Sequence, residues 1–164
     1  MIEVALISET PWTDGEWEAL ATRAATLAVA ATPHANLATT RAVVEISVRL
    51  TSDDEVRILN RQYRKQDKPT NVLSFPSPQG PEANPDGQIG DIALAFGVCQ
   101  REAIEQGKPL AHHLQHLVAH GVLHLLGYNH EGDEEAESME ALEREILATL
   151  DILDPYAADM TQQG

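Results

Sequence analysis

The sequence predicts an α/β (α+β) fold, a single domain in which about four strands are packed with several helices. Its 164 residues, 43% of them hydrophobic, suit one domain that buries its own core. From Val44 to Leu50, apolar and polar residues alternate, which indicates a strand with one buried face. From Asp133 to Leu150, apolar residues instead recur every three or four positions, which is typical of an amphipathic helix.

The predicted elements follow one another along the chain. We expect strands over residues 2–8, 44–50, 72–75 and 90–96, and helices over residues 14–31, 52–65, 97–106, 109–126 and 133–150. Ser52 and Glu55 have the spacing of a capping box, which predicts the start of the second helix. Gly107 and Gly127 end two later helices, because glycine accepts a left-handed conformation. The proline-rich segment 76–88 is predicted to be a loop. Residues 1–154 form the domain, and 155–164 a flexible tail.

The composition argues against two classes of protein. The chain contains one cysteine, Cys99, which has no partner for an internal disulfide. Its first residues lack the pattern of a signal peptide, so we expect a cytoplasmic protein. No apolar run reaches the roughly 18 residues of a membrane span, so we expect no membrane association.

The charges are distributed unevenly along the chain. Eleven Lys and Arg residues stand against 26 Asp and Glu, a formal net charge of -15, and on average such a surface repels nucleic acid. One segment departs from this average, with five basic residues and a single acid: Arg57, Arg61, Arg64, Lys65, Lys68 and the acid Asp67. The basic residues share a helix face if the helix continues through them, so the segment is a candidate phosphate-binding surface. The alternative is an ordinary solvated helix face.

Six of the seven histidines lie between residues 112 and 130. His120 and His124 are one helical turn apart, so both rings can direct a nitrogen at one ion. Gly127 can turn the chain after the helix, and His130 can then supply a third ligand. Three neutral imidazoles favour zinc over magnesium or calcium and leave a fourth position for water. An isolated histidine pair would more often be a solvated helix face.

The full pattern, HxxxHxxGxxH, has the spacing of metzincin zinc sites. In those proteases a glutamate follows the first histidine and acts as general base, whereas Gly121 occupies that position here. The pattern therefore predicts a metal site without the base of a zinc peptidase. The metal would act by polarising a substrate oxygen or by lowering the pKa of water, or another group would accept the proton.

Three segments together carry a specific resemblance: HGVLHLLGYNH (120–130), LNRQYRKQDKPTNVLSFP (59–76) and GDIAL (90–94). They closely resemble the YbeY family of bacterial ribosomal RNA maturation factors. The resemblance implies a single α/β domain with one mixed sheet and one zinc ion held by His120, His124 and His130. It also implies a metal-dependent, single-strand-specific endoribonuclease that matures the 3′ end of small-subunit ribosomal RNA and takes part in ribosome quality control. RNA and the small ribosomal subunit, or proteins associated with its assembly, are the implied partners.

The resemblance also assigns residues around the metal. The family's arginine corresponds to Arg64, whose planar guanidinium suits two phosphate oxygens. Asn129 stands where the family more often has aspartate. Lys68 and the other basic residues of its segment, Arg57, Arg61 and Lys65, are candidates for RNA binding. Further candidates to orient the metal ligands are Asp91, His113, His116 and Asn129.

Two other functions remain open from the sequence. One is a non-catalytic ribosome assembly factor with a structural zinc, which would use the acidic helix from Asp133 as an interaction surface. The other is a metal-dependent hydrolase of small molecules or peptides, which the metzincin spacing favours and Gly121 disfavours. A structural site would be closed by a fourth protein ligand, whereas a catalytic one keeps an open position.

Overall fold

A computed structural model describes residues 1–12, 15–39, 43–77, 87–129 and 132–152. The strands are β1 (Ile2–Ser8), β2 (Val44–Thr51), β3 (Val72–Pro76) and β4 (Gln88–Ala95). The helices are α1 (Trp17–Ala30), α2 (Asn36–Thr39), α3 (Asp53–Arg64), α4 (Phe96–Glu105), α5 (Leu110–Leu125) and α6 (Asp133–Thr149). Every predicted strand and helix is present, and the short α2 is an addition. Most of the predicted loop and the whole predicted tail lie outside the described residues.

The four strands form one mixed sheet in the order β1-β2-β4-β3. The pairs β1–β2 and β2–β4 are parallel, and β3 pairs with β4 in the antiparallel sense. The predicted α+β class with a mixed sheet is confirmed. Residues of the edge strand β3 line cavities on both sides of the sheet.

Helices cover the two faces of the sheet unequally. Helices α1 and α5 pack on one face, where Ile46, Ile92, Leu114 and Val118 belong to the main core. Helix α3 packs on the other face, over a small cluster that contains Val56, Leu73, Ala93 and Ala95. Within the described ranges, no helix is long and apolar enough to cross a membrane.

Local signals set the ends of the helices that carry the candidate site. The Ser52 hydroxyl accepts a hydrogen bond of 3.2 Å from the backbone N–H of Glu55, as a capping box predicts. The Glu55 carboxylate lies 3.4 Å from Arg49, so it pairs with that residue. At the other end Lys65 takes a left-handed conformation with φ of 58°, so α3 ends at Arg64 and the chain leaves the helix. Gly127, with φ of 102°, turns the chain after α5.

Candidate active site

Helix α5 presents two imidazole rings to a cleft beside β3. The Nε2 atoms of His120 and His124 lie 3.0 Å apart. Two nitrogen ligands of a tetrahedral zinc ion, each about 2.0 to 2.1 Å from the metal, are separated by roughly 3.3 Å. The one-turn spacing therefore brings the two rings together as predicted, at a separation that suits a shared ion.

Behind this pair lies Glu143, a residue of α6 whose side chain is fully buried. Its Oε1 is hydrogen-bonded to Nδ1 of His120, and its Oε2 lies 3.8 Å from Nε2 of His116. A carboxylate is an acceptor, so this bond places the His120 proton on Nδ1 and leaves a lone pair on Nε2. That lone pair faces Nε2 of His124, an arrangement that a shared cation or a shared proton stabilises. The donor set therefore fits a zinc ion.

Sequence reasoning missed Glu143 because it lies in a helix rich in acidic residues. A signal was present: the buried positions of α6 are Met139, Glu143, Ile146 and Leu147, which recur at helical spacing. A carboxylate on the apolar stripe of an amphipathic helix needs a polar partner in the interior. The partners here are His116 and His120 of α5, which Glu143 contacts with its two carboxylate oxygens.

The third predicted ligand, His130, lies outside the described residues. Among the residues that the structure describes, no group of three His, Cys, Asp or Glu side chains could hold a metal ion. The described chain supplies two converging imidazoles and the turn after α5, in which Tyr128 N–H bonds the Leu123 carbonyl at 3.0 Å. A zinc ion on three histidines therefore stays a prediction.

Arg64 lines the same cleft as the two histidines. The cleft has a volume of about 480 Å³, and its walls come from α3, β3, α5 and the segment that precedes β3. Nη2 of Arg64 donates a 2.9 Å hydrogen bond to the Ser74 carbonyl, and the Ser74 hydroxyl donates a 3.3 Å bond to the Gly121 carbonyl. These bonds connect α3, β3 and α5, so the guanidinium is held in the cleft that the two imidazoles line.

Gly121, which follows His120, lies where α5 packs closely on the sheet. A Cβ atom added to Gly121 would lie 3.0 Å from Cδ1 of Ile92 and 3.1 Å from Oγ of Ser74. Helix α5 therefore lies so close to β3 and β4 that a larger side chain at this position needs its neighbours to move. A glutamate in the position used by zinc proteases would therefore crowd Ile92 and Ser74.

The basic segment divides into two parts in space. Arg57 forms two hydrogen bonds with Asp67, of 2.8 and 3.1 Å, and this pairing lowers the pKa of Asp67. Nη1 of Arg61 lies 4.0 Å from the same carboxylate. Lys68 lines the cleft together with Arg64, whereas Arg57 and Arg61 line a separate depression. The five basic residues, including the exposed Lys65, therefore do not form one continuous face.

One predicted contact is corrected. We expected Asp91 to hydrogen-bond a ligand histidine, but its neighbours Gly90 and Ile92 face α5, as their contacts with Leu125 and Gly121 indicate. Successive residues of a strand point to opposite faces, so Asp91 lies on the side of α3. Its side chain is exposed and lines a different cavity from the one that contains the histidines.

The other residues expected to orient the ligands occupy distinct positions. His116 shares the Glu143 carboxyl group with His120. His113 is buried and lies 2.8 Å from Oε1 of Glu102, and its burial lowers the pKa of the imidazole. Asn129 is half-buried in the segment after α5. Their roles toward a metal stay predictions.

Comparison with known proteins decides the family. The family model described as Endoribonuclease YbeY matches residues 9–151. The chain belongs to the YbeY family. It is 57% identical to an Endoribonuclease YbeY of Rhizorhabdus wittichii, with 96% of this chain and 98% of that protein covered. A YbeY endoribonuclease of Sphingopyxis alaskensis is 49% identical with the same coverage.

A solved structure is similar as well. The solution structure of a Thermotoga maritima protein matches with a TM-score of 0.55 and 26% sequence identity, and the match covers 92% of each chain. The YbeY resemblance inferred from the motifs is thus confirmed, and so is the fold that it implies.

Proposed function

We propose that this protein is a metal-dependent endoribonuclease specific for single-stranded RNA. Its role would be late ribosome maturation, including processing of the 3′ end of small-subunit ribosomal RNA, together with ribosome quality control. The substrate would be ribosomal RNA, met on the small subunit or on proteins that assemble it. Membership of the YbeY family supports this proposal, because the curated relatives are named endoribonucleases.

One observation carries the proposal: two converging imidazoles, one of them oriented by a buried carboxyl group, share a cleft with an arginine. The ligands would be His120, His124 and His130. A bound zinc ion would supply Lewis-acid polarisation of a phosphodiester oxygen and a lowered pKa for water. The Glu143 carboxyl group keeps the His120 tautomer that directs Nε2 into the cleft.

Arg64 would bind and orient the scissile phosphate. Its guanidinium has five N–H donors, and the hydrogen bond to Ser74 engages Nη2. The planar group can stabilise the negative charge that grows on phosphoryl oxygens as the bond breaks. Lys68, on the same cleft, would add affinity for the backbone of the RNA.

The test combines metal analysis with cleavage of an unstructured RNA and of precursor small-subunit ribosomal RNA. We expect wild type to bind one zinc ion per chain and to cleave both substrates. His124→Ala should lose zinc and activity together. Arg64→Ala should keep its zinc while cleavage falls by about 100-fold or more, the effect typical of a lost charge-stabilising donor.

Arg23→Ala is the matched control, because Arg23 is exposed on α1 and that helix contributes nothing to the cleft. It should match wild type in both measurements. If His124→Ala and Arg64→Ala cleave as fast as wild type, the observed nuclease is a contaminant and the proposal fails. Stoichiometric zinc without RNA cleavage would favour an assembly factor with a structural metal.

A further inference from the structure

Two cavities meet at the edge of the sheet formed by β3. The cleft with the histidines lies on the α5 side, and a second hollow of about 830 Å³ lies between α3 and the sheet face that α5 does not cover. Ile7, Leu59 and Ala93 contribute apolar walls to this hollow, and Pro76 lines both cavities. A hollow of this volume is within the usual range for ligand sites.

An aromatic pair stands at the rim of the hollow. Tyr63 is 68% exposed, a high value for a large side chain with a ring. Its ring packs edge-to-face on Phe75, with centroids 5.3 Å apart, and both residues line the hollow. The guanidinium carbon of Arg64 lies 6.0 Å from the centre of the Phe75 ring, within the range of a cation–π contact.

Tyr63 and Arg64 are consecutive on α3 and therefore project about 100° apart. Tyr63 lines the hollow, whereas Arg64 lines the histidine cleft. A ligand that contacts both needs an anionic part in the cleft and a flat, apolar part joined to it by a short link. A nucleotide has this composition, because a sugar joins its phosphate to a planar base.

We propose that Tyr63 and Phe75 form a stacking platform for one unpaired base of the RNA, adjacent to the phosphate bound by Arg64. This inference rests on the proposed endoribonuclease function and adds a subsite to it. Stacking on an aromatic ring tolerates any base, since every base has a π face. A base within a duplex is paired and stacked, so only an unpaired base can reach the platform. The platform thereby supplies a physical reason for single-strand specificity.

The experiment scans an unstructured RNA oligonucleotide with a single abasic residue at each position around the cleavage site. With zinc-loaded wild type, kcat/KM should fall about tenfold at one position beside the scissile phosphate. On the intact RNA, kcat/KM of Tyr63→Ala should be lower than that of wild type by a similar factor. On the abasic RNA, Tyr63→Ala should cause no further loss. Tyr63→Phe, which keeps the ring, should behave as wild type. An RNA with 2-aminopurine at the same position should lose fluorescence on binding wild type but not Tyr63→Ala.

Ile104→Ala controls for removal of an exposed apolar side chain, because Ile104 is 73% exposed on α4 and lines neither cavity. If no abasic position reduced kcat/KM, the platform would be overturned while the nuclease function stands. The same holds if the abasic residue and Tyr63→Ala reduced kcat/KM independently, so that their effects multiplied. If Tyr63→Ala cleaves RNA and quenches 2-aminopurine as wild type does, the platform is also overturned. The hollow would then belong to another partner, such as a protein. If wild type cleaves none of these RNAs, the proposed function itself fails and the subsite with it.

Discussion

The side chain of Glu143 lies in the interior, where an isolated carboxylate would cost several kcal/mol relative to water. Its two oxygens instead face His116 and His120, and the hydrogen bond to His120 offsets part of that cost. The same bond selects one tautomer of His120. The buried Glu143 carboxylate, whose desolvation is unfavourable, therefore lies where it can orient His120, a predicted metal ligand.

We expect Glu143→Gln to weaken zinc affinity by roughly 10- to 100-fold, because the amide keeps the shape of the side chain but loses the carboxylate charge that holds the His120 N–H and orients its ring. The measurement is competition between the protein and a chromogenic chelator, with circular dichroism to establish that the variant is folded. Glu137→Gln, an exposed change on the same helix, should leave affinity at the wild-type value. Equal affinities for Glu143→Gln and wild type would mean that the carboxylate does not orient the ligand.

At the scale of elements, α5 depends on its close contact with the sheet at Gly121. A glycine inside a helix normally costs about 1 kcal/mol relative to alanine. Here the short distances to Ile92 and Ser74 leave little room for a methyl group, so the usual gain from alanine is offset by overpacking.

We therefore expect Gly121→Leu to destabilise the protein by about 3 kcal/mol, and Gly121→Ala by about 1 kcal/mol or less. Urea unfolding followed by circular dichroism measures both. Ala148→Leu enlarges an exposed residue of α6 and should change stability by no more than about 0.5 kcal/mol. A wild-type unfolding midpoint for Gly121→Leu would show that α5 can move away from the sheet without cost.

The elements were predictable because their periods and end signals are local. The capping box at Ser52 and the glycine after α5 both mark helix ends in the structure. The position of Asp91 was not predictable in the same way. Apart from the exposed Asp91, strand β4 has buried residues on both faces, with Ile92 and Leu94 in one core and Ala93 in the other. The pattern of apolar and polar residues in β4 therefore does not indicate which of its faces packs against α5.

At the scale of the whole molecule, the net charge of -15 opposes binding to RNA. Asp67 partly neutralises the positive charge of Arg57 and Arg61 in the basic segment. The basic residues of the segment that line the cleft are Arg64 and Lys68. This division could not be read from the sequence, because it depends on the end of α3 at Arg64 and on the turn that brings Asp67 back. The approach of the histidines, by contrast, follows from the helical repeat alone.

RNA affinity should therefore depend on few ion pairs. We expect Lys68→Ala to reduce the slope of log K against log salt concentration by about 0.7, the value for one phosphate contact on a single strand. Fluorescence anisotropy with labelled RNA between low and physiological salt measures the slope. Arg23→Ala should keep the wild-type slope, and an unchanged slope in Lys68→Ala would exclude Lys68 from the RNA contact.

The two hydrogen bonds of Ser74 have a mechanical consequence. Its carbonyl accepts a hydrogen bond from Arg64, and its hydroxyl donates one to the backbone of α5 one residue after His120. Both partners are therefore attached to a single residue of an edge strand. A shift or substitution at this residue would therefore act on the guanidinium and on the helix that bears the imidazoles together.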